Sequence, residues 1–214
     1  MCIPKKKDDR KKNKLYRIES NRMPNKLNTN ADVREYISGK KVRIVTTRFN
    51  EKTWKENENY RKEHPNIGCI YPSPFVIQTD IPYDVNLIVM EMRNDINRII
   101  GISLIKNRSN VNTKYHVYSD PKYNQYAYLG NIRIDRTTMS YEEEEIMKVF
   151  DVLCFKGFDH LKRLKGIKAF PSYKLYCCAN SANGMDLIDF LYKMFRKERT
   201  ETTKELTMLE QIKT

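Results

Sequence analysis

Two runs of apolar residues in the middle of the chain, NLIVMEM and RIIGISLIKN, predict two buried strands. Asn94 and Asp95 lie between the runs and favour a turn, so the two strands should form a hairpin. The run VRIVTTRF is rich in β-branched residues and predicts a further strand. The strand pattern resumes in TKYHVYS and in YAYLGNIRID, which are joined by SDPKYNQ. Strands at this spacing are typical of a small barrel or sandwich.

A change to helical periodicity follows the last of these strands. Ser140 and Glu143 form a predicted capping box, and apolar residues then recur at helical spacing, which predicts a helix over residues 141–156. A second amphipathic pattern begins at Met185 and predicts a C-terminal helix. That helix either packs on the core or provides a surface for self-association or for a protein partner.

A polar segment after the first strand predicts a shorter helix. Asn50 is placed to cap a helix that runs through Lys62. On such a helix the only tryptophan of the chain, Trp54, has polar neighbours and does not belong to an apolar stripe. Before the first strand, ADVREYISGK predicts a short helix that ends at Gly39.

These elements divide the chain into three parts. Residues 1–30 are basic and hold few large apolar residues, so we expect a flexible arm. Residues 31–172 form the predicted main domain, a mixed α+β barrel that includes the helix 141–156. Residues 173–214 form a predicted C-terminal helical extension.

The formal net charge of +13 favours a polyanionic partner. A surplus of that size attracts nucleic acid and makes the affinity depend on salt, because bound counterions are released. We therefore expect nucleic acid, either RNA or DNA, or another polyanion as the partner. A basic surface that serves solubility without a fixed partner is the other interpretation.

The sequence carries no catalytic signature. Phosphate-binding glycine loops and the motifs of serine hydrolases, zinc proteases and kinases are absent, and no histidine has a recognisable nucleophile beside it. The five cysteines lack CxxC spacing, so we expect them to be reduced, and we predict no metal and no cofactor. Without a long apolar run or a signal-peptide pattern, we expect a soluble intracellular protein that does not bind membranes.

Aromatic and basic residues provide the candidate binding site. Flat rings stack on exposed bases while arginine pairs with phosphate, and reading unpaired nucleotides needs both. The candidate nucleotide-binding residues are Arg48, Trp54, Tyr60, Arg61 and Tyr71. The candidate phosphate-binding residues are Lys156, Lys162, Arg163 and Lys165. Core packing and a solvated basic face are the alternative interpretations, and the tyrosines around SDPKYNQ are interpreted mainly as strand residues.

The order VRIVTTRFNEKTWKENENYR, IPYDVNLIVMEM and RIIGISLIKN resembles the PUA-like superfamily, which includes EVE, YTH and ASCH domains. The whole chain, through YLGNIRIDR and LCFKGFDHLKR, also resembles small proteins of giant nucleocytoplasmic DNA viruses. The resemblance implies a small barrel that accommodates RNA or an extruded, often modified base in an aromatic pocket. A viral protein of this kind would act in the host cytoplasm or in the virion.

From this resemblance we expect an RNA-binding module that reads a modified nucleotide or a 5′ cap. Trp54 and Tyr71 would stack on the base. The chain has one tryptophan where the cage of YTH domains uses two or three, so a tyrosine or phenylalanine must complete any cage. The alternative is a basic virion or assembly protein that binds nucleic acid, or an acidic partner, without base specificity.

Overall fold

The hairpin predicted from the two apolar runs forms the middle of a five-stranded sheet. The computed structural model describes residues 30–77, 80–110, 112–182 and 184–198. The strands are β1 (Val42–Phe49), β2 (Cys69–Ser73), β3 (Asn86–Arg93), β4 (Arg98–Lys106), β5 (Tyr126–Gly130), β6 (Ile132–Asp135) and β7 (Lys168–Ala169). The helices are α1 (Asn30–Ser38), α2 (Glu51–Glu63), α3 (Tyr141–Phe155), α4 (Ser172–Ala179) and α5, which is described over residues 187–198.

The five-stranded sheet has the order β6-β4-β3-β1-β7. Its strands β1 and β3 are parallel, whereas its other neighbouring strands are antiparallel. A separate antiparallel pair is formed by β2 and β5. The mixed α+β class is therefore confirmed. The hydrogen-bonded ladders of the described residues form two sheets and do not close into a barrel.

Local signals place the helices close to where the sequence predicted them. Asn50 caps α2, and its side-chain oxygen accepts a hydrogen bond from the backbone N–H of Thr53 at 2.8 Å. Ser140 and Glu143 form the capping box of α3, which ends at Phe155 before Gly157. Both starts were predictable because a capping box is a contact between residues three apart in the chain.

The strand predicted at TKYHVYS is absent, which corrects that part of the sequence analysis. Asn110 Oδ1 accepts from the backbone N–H groups of Asn112 and Thr113 at 3.2 and 3.3 Å. Farther along, the backbone N–H of Tyr118 donates to Asn124 Oδ1 at 3.0 Å. Side-chain oxygens thus take hydrogen bonds that a strand ladder would need, and the segment becomes a loop.

Two apolar cores lie on opposite faces of the large sheet. One lies between the sheet and helices α3, α4 and α5, and it includes Ile88, Met90 and Phe150. The other lies under α2 and the β2-β5 pair and includes Phe49 and Val89. Alternate strand residues point to opposite faces, so β3 contributes to both cores.

The C-terminal helix α5 packs in the first of these cores. Its buried apolar residues are Leu187, Ile188, Leu191, Met194 and Phe195. This apolar face is therefore covered within the chain, and self-association through it, one of the sequence-based alternatives, does not fit the structure. The predicted basic arm falls almost entirely in residues 1–29, which lie outside the described residues.

Candidate nucleic-acid interface

A cleft of about 200 Å³ opens where β1 and β3 end side by side. Phe49, the last residue of β1, lies opposite Arg93, the last residue of β3. Ligands of sheets with parallel strands commonly bind beyond the carboxyl ends of those strands. The cleft is lined by Thr47, Arg48, Phe49, Asn50, Thr53, Pro72, Asn94, Tyr118, Tyr123 and Gly166.

Two tyrosine rings give the cleft flat walls. Tyr118 and Tyr123 belong to the loop between β4 and β5, and their rings meet edge to face with centroids 6.4 Å apart. Asn124 fixes this loop, because its side chain accepts from the Tyr118 N–H at 3.0 Å and donates to the Tyr118 carbonyl at 2.7 Å. Phe49 and Pro72 also border the cleft, but both are buried, and Phe49 is only 1% exposed.

A basic loop, residues 156–167, is fastened beside the cleft through its backbone. Arg48 donates from Nε to the carbonyl of Leu161 at 2.6 Å and from Nη1 to the carbonyl of Gly166 at 3.1 Å. Asn94 Nδ2 donates to the carbonyl of Lys162 at 3.0 Å. Arg48, Asn94 and Gly166 all line the cleft, so the basic loop forms part of its rim.

Gly166 is required at this point of the basic loop. Its φ of +67° lies in the left-handed region, which favours glycine. A Cβ at this position would also come within 2.8 Å of Ser73 Oγ. The glycine therefore lets the basic loop approach the end of β2 closely.

The cleft is electrostatically positive. Within the described residues, Arg48 makes no ion pair and bonds to carbonyls and to Thr46 Oγ1, at 2.7 Å from Nη2. Burial lowers the pKa of Arg48 to about 10, which leaves the side chain charged at neutral pH. The first turn of α2 adds the positive end of a helix dipole. Lys162, Arg163 and Lys165 of the rim also form no ion pair in the described part of the chain.

Asn94 leaves an unsatisfied acceptor at the wall of the cleft. Its backbone N–H donates to the carbonyl of Phe49 at 2.9 Å, and its Nδ2 is bound to Lys162 as above. Its Oδ1 is buried and has no hydrogen-bond partner among the described residues. Such a buried acceptor without a partner costs about 1 to 3 kcal/mol.

Tyr71, predicted to stack on a base, is instead buried in the interior and is 1% exposed. Its hydroxyl donates toward Glu91 Oε1 and lies near Ser103 Oγ, both at 2.5 Å. Burial first and the nearby Glu91 carboxylate second raise the pKa of Tyr71 well above its ordinary value. The ring is not accessible to a ligand, so the sequence-based role of Tyr71 is corrected.

Trp54 lies beside a different, shallower pocket of about 330 Å³. The guanidinium carbons of Arg61 and Arg133 each lie 5.3 Å from the centre of its ring. It packs edge to face with Phe49, with ring centroids 5.5 Å apart. The indole is thus half-buried and already contacted by two arginines, and it does not share the cleft with Arg48.

The remaining candidates, Tyr60 and Lys156, line neither pocket. Tyr60 stacks on His64 on α2, with ring centroids 4.1 Å apart. Lys156 is the exposed C-cap of α3 at the start of the basic loop. The structure brings Arg48 together with the loop of Lys162, Arg163 and Lys165, but it does not assemble the five candidate nucleotide-binding residues around one pocket.

From the sequence, Tyr118 and Tyr123 were expected mainly to pack as strand residues, and Asn94 was expected to lie in a turn. The available signal was the segment SDPKYNQ, in which turn-forming residues flank Tyr123. Those residues predicted a connection between two strands. They did not predict that the connection would lie against the end of β1.

The remaining chemistry of the described residues is limited. Cys69, Cys154, Cys177 and Cys178 are free thiols. No group of three histidine, cysteine, aspartate or glutamate side chains in the described ranges is arranged to hold a metal ion. Among the helices described, none is both long and apolar enough to traverse a bilayer.

Comparison with models of known protein families gives no match, and comparisons with curated proteins and with solved structures give none either. The resemblance to the PUA-like superfamily therefore stays a prediction.

Proposed function

We propose that this protein binds RNA and holds one unpaired base in the cleft between β1, Asn94 and the Tyr118–Tyr123 loop. The observation that carries the proposal is the combination of aromatic walls with a cationic rim. Stacking on aromatic rings captures bases, and cations beside the stack neutralise the adjoining phosphates. The cleft and the basic loop supply these two functions side by side.

The size of the cleft supports a single flat group as the ligand. Its volume is about 200 Å³. An apolar cavity of roughly 150 Å³ takes up a benzene ring, so there is space for one base and not for a folded nucleic-acid element. More specifically, we propose that the ligand is a modified base or a 5′ cap and that it is bound as in PUA-like domains. Tyr118 and Tyr123 supply the aromatic residues that the lone tryptophan cannot.

Arg48 contributes by holding the basic loop, since the described acceptors of its hydrogen bonds are carbonyls and a hydroxyl of the protein itself. It therefore positions the cations of the rim.

Tyr123→Ala is expected to weaken binding of short single-stranded RNA about tenfold, because base stacking contributes about 1 to 3 kcal/mol per base. The loss should be greatest for the base or cap that the cleft prefers. Fluorescence anisotropy with oligonucleotides that differ at one base, or in the presence of a cap, measures it. Tyr83→Ala is the matched control, since Tyr83 is 75% exposed and precedes β3 at the opposite end of that strand. Equal losses in both variants would contradict the cleft as the binding site.

The double variant Lys162→Ala/Lys165→Ala is expected to weaken binding of every RNA and to reduce the salt dependence of the affinity. Each lost phosphate contact should lower the slope of log K against log salt by roughly 0.7 for a single strand. Lys193→Ala/Lys197→Ala removes the same charge from α5, which packs on the other face of the sheet, and should leave the slope nearly unchanged. Anisotropy titrations at several salt concentrations compare the two.

One observation favours the alternative, a basic assembly protein without base specificity. Lys193 and Lys197 are exposed and form no ion pair in the described part of the chain, so positive charge is present on both faces of the sheet. In that case the two double variants lose affinity equally, and Tyr123→Ala loses none. The nucleic acid that copurifies with the protein can then be sequenced together with its modifications. This shows whether the protein prefers one ligand.

A further inference from the structure

The outward face of α3 is apolar at its centre. Helical periodicity places Tyr141, Glu145, Val149, Val152 and Lys156 on one side of the helix. Tyr141 is 80% exposed, Val149 39% and Val152 49%. The opposite side is buried in the core under the sheet. Within the described residues, nothing covers this outward face enough to bury it.

The apolar surface continues beyond the end of α3. The ammonium group of Lys174 donates to the carbonyl of Leu153 at 2.9 Å and to the carbonyl of Asp159 at 3.2 Å. It also pairs with the carboxylate of Asp159 at 3.0 Å. These contacts anchor Leu153, Asp159 and Lys174 to one another. Each of the three is next in the chain to an apolar residue, namely Val152, Phe158 and Tyr173. Phe158 is fully exposed and Tyr173 is 58% exposed, so the end of α3 is surrounded by uncovered apolar side chains.

The charges along this face change sign from one end to the other. On this face Glu145 lies near the start of α3 and pairs with Lys148 at 2.5 Å, whereas Lys156, the C-cap, follows the end of α3 and forms no ion pair in the described residues. A polyanion fits this face poorly because Glu145 lies on it. A second copy of α3 in antiparallel orientation fits it well, since acidic and basic ends then meet twice and the helix dipoles oppose each other.

We propose that two copies of this protein form a homodimer through α3. The helices pack antiparallel about a twofold axis that passes between Val149 and Val152, so that these two valines lie at the centre. Glu145 of each copy then faces Lys156 of the other, and Phe158 and Tyr173 extend the apolar contact. The outward face of α3 lies on the helical side of the sheet, whereas the walls of the cleft belong to the other side and its end. Lys156 and Phe158 are part of the basic loop, but neither lines the cleft, so the proposal does not depend on RNA binding.

The first test measures the mass of the full chain by sedimentation velocity over a concentration series, after nuclease treatment to remove bridging nucleic acid. The wild type should show a monomer–dimer equilibrium. Val152→Glu should raise the dimer dissociation constant at least about tenfold, because it places a charge in the apolar centre. Val76→Glu is the matched control, since Val76 is 47% exposed and adjoins Ile77 of the opposite core. It should leave the dissociation constant unchanged.

A charge exchange gives the sharper test. Lys156→Glu and Glu145→Lys should each weaken the homodimer, because each brings like charges together twice. An equimolar mixture of the two variants should restore the dimer, since every cross-copy pair is then of opposite charge. A wild type that stays monomeric at every concentration, a dimer that survives Val152→Glu, or a mixture that does not reassociate would overturn the proposal.

Discussion

Arg133→Met is expected to lower the free energy of unfolding by about 3 to 5 kcal/mol, because it leaves a buried carboxylate without its cation. Glu91 is 0% exposed, and its Oε2 lies 2.6 Å from Arg133 Nη2. The guanidinium also donates from Nε to the same carboxylate. Urea unfolding followed by circular dichroism measures the loss.

Two further variants separate the charge effect from loss of packing. In Glu91→Leu/Arg133→Met both charges are removed, so more than half of the lost stability should return. Arg93→Met is the matched control, since Arg93 pairs with Asp95, whose side chain is 33% exposed, and should cost no more than about 1 kcal/mol. A double variant as unstable as Arg133→Met alone would show that the ion pair contributes little beyond its packing.

The sequence predicted elements whose signals are local. The β3-β4 hairpin has its turn residues between its strands, and the caps of α2 and α3 are contacts between neighbours in the chain. The partners of the strands were not predictable in this way. Parallel pairing of β1 with β3 joins residues more than forty positions apart, and no local pattern specifies it. The barrel was inferred from strand spacing, which does not fix how strands pair.

The burial of Tyr71 is not evident from the sequence, because Pro72 and Pro74 follow it and prolines favour a loop. Pro72 instead lies in β2, which in the described residues pairs only with β5. A proline that lacks a donor is tolerated on such an edge strand. The ring then points into the interior, where the carboxylate of Glu91 accepts a hydrogen bond from the Tyr71 hydroxyl. The run NLIVMEM showed a charged residue within a strand, but its partner Arg133 follows only after 42 residues.

The sequence predicted the kinds of side chain that form the candidate site, but not which of these side chains meet in the fold. Arginine, aromatic rings and a basic segment were expected to meet, and Arg48 does meet the basic loop. The rings at that place are Tyr118 and Tyr123 and not Trp54 or Tyr71. Their position depends on Asn124, which closes the loop, and on the docking of that loop beside β1 and α2. Such docking is a tertiary contact that periodicity does not encode.

Arg48→Met is expected to release the basic loop from the cleft. The substitution leaves the carbonyls of Leu161 and Gly166 without their charged donor, and each unsatisfied acceptor costs about 1 to 3 kcal/mol where water cannot replace it. We therefore expect faster hydrogen exchange over residues 161–166, and RNA affinity at least about tenfold lower because the rim cations are no longer positioned. Hydrogen exchange measured by mass spectrometry and anisotropy titration follow the two effects separately.

The variant Arg48→Lys decides whether Arg48 positions the basic loop or contacts phosphate itself. Lysine retains the charge, but its single ammonium group cannot reproduce the planar fork that reaches Leu161 and Gly166 together with Thr46. If Arg48 is a positioning residue, Arg48→Lys resembles Arg48→Met in both hydrogen exchange and affinity. Normal exchange over residues 161–166 in both variants, with affinity lost in Arg48→Met and retained in Arg48→Lys, would instead assign Arg48 to direct phosphate contact, as the sequence predicted.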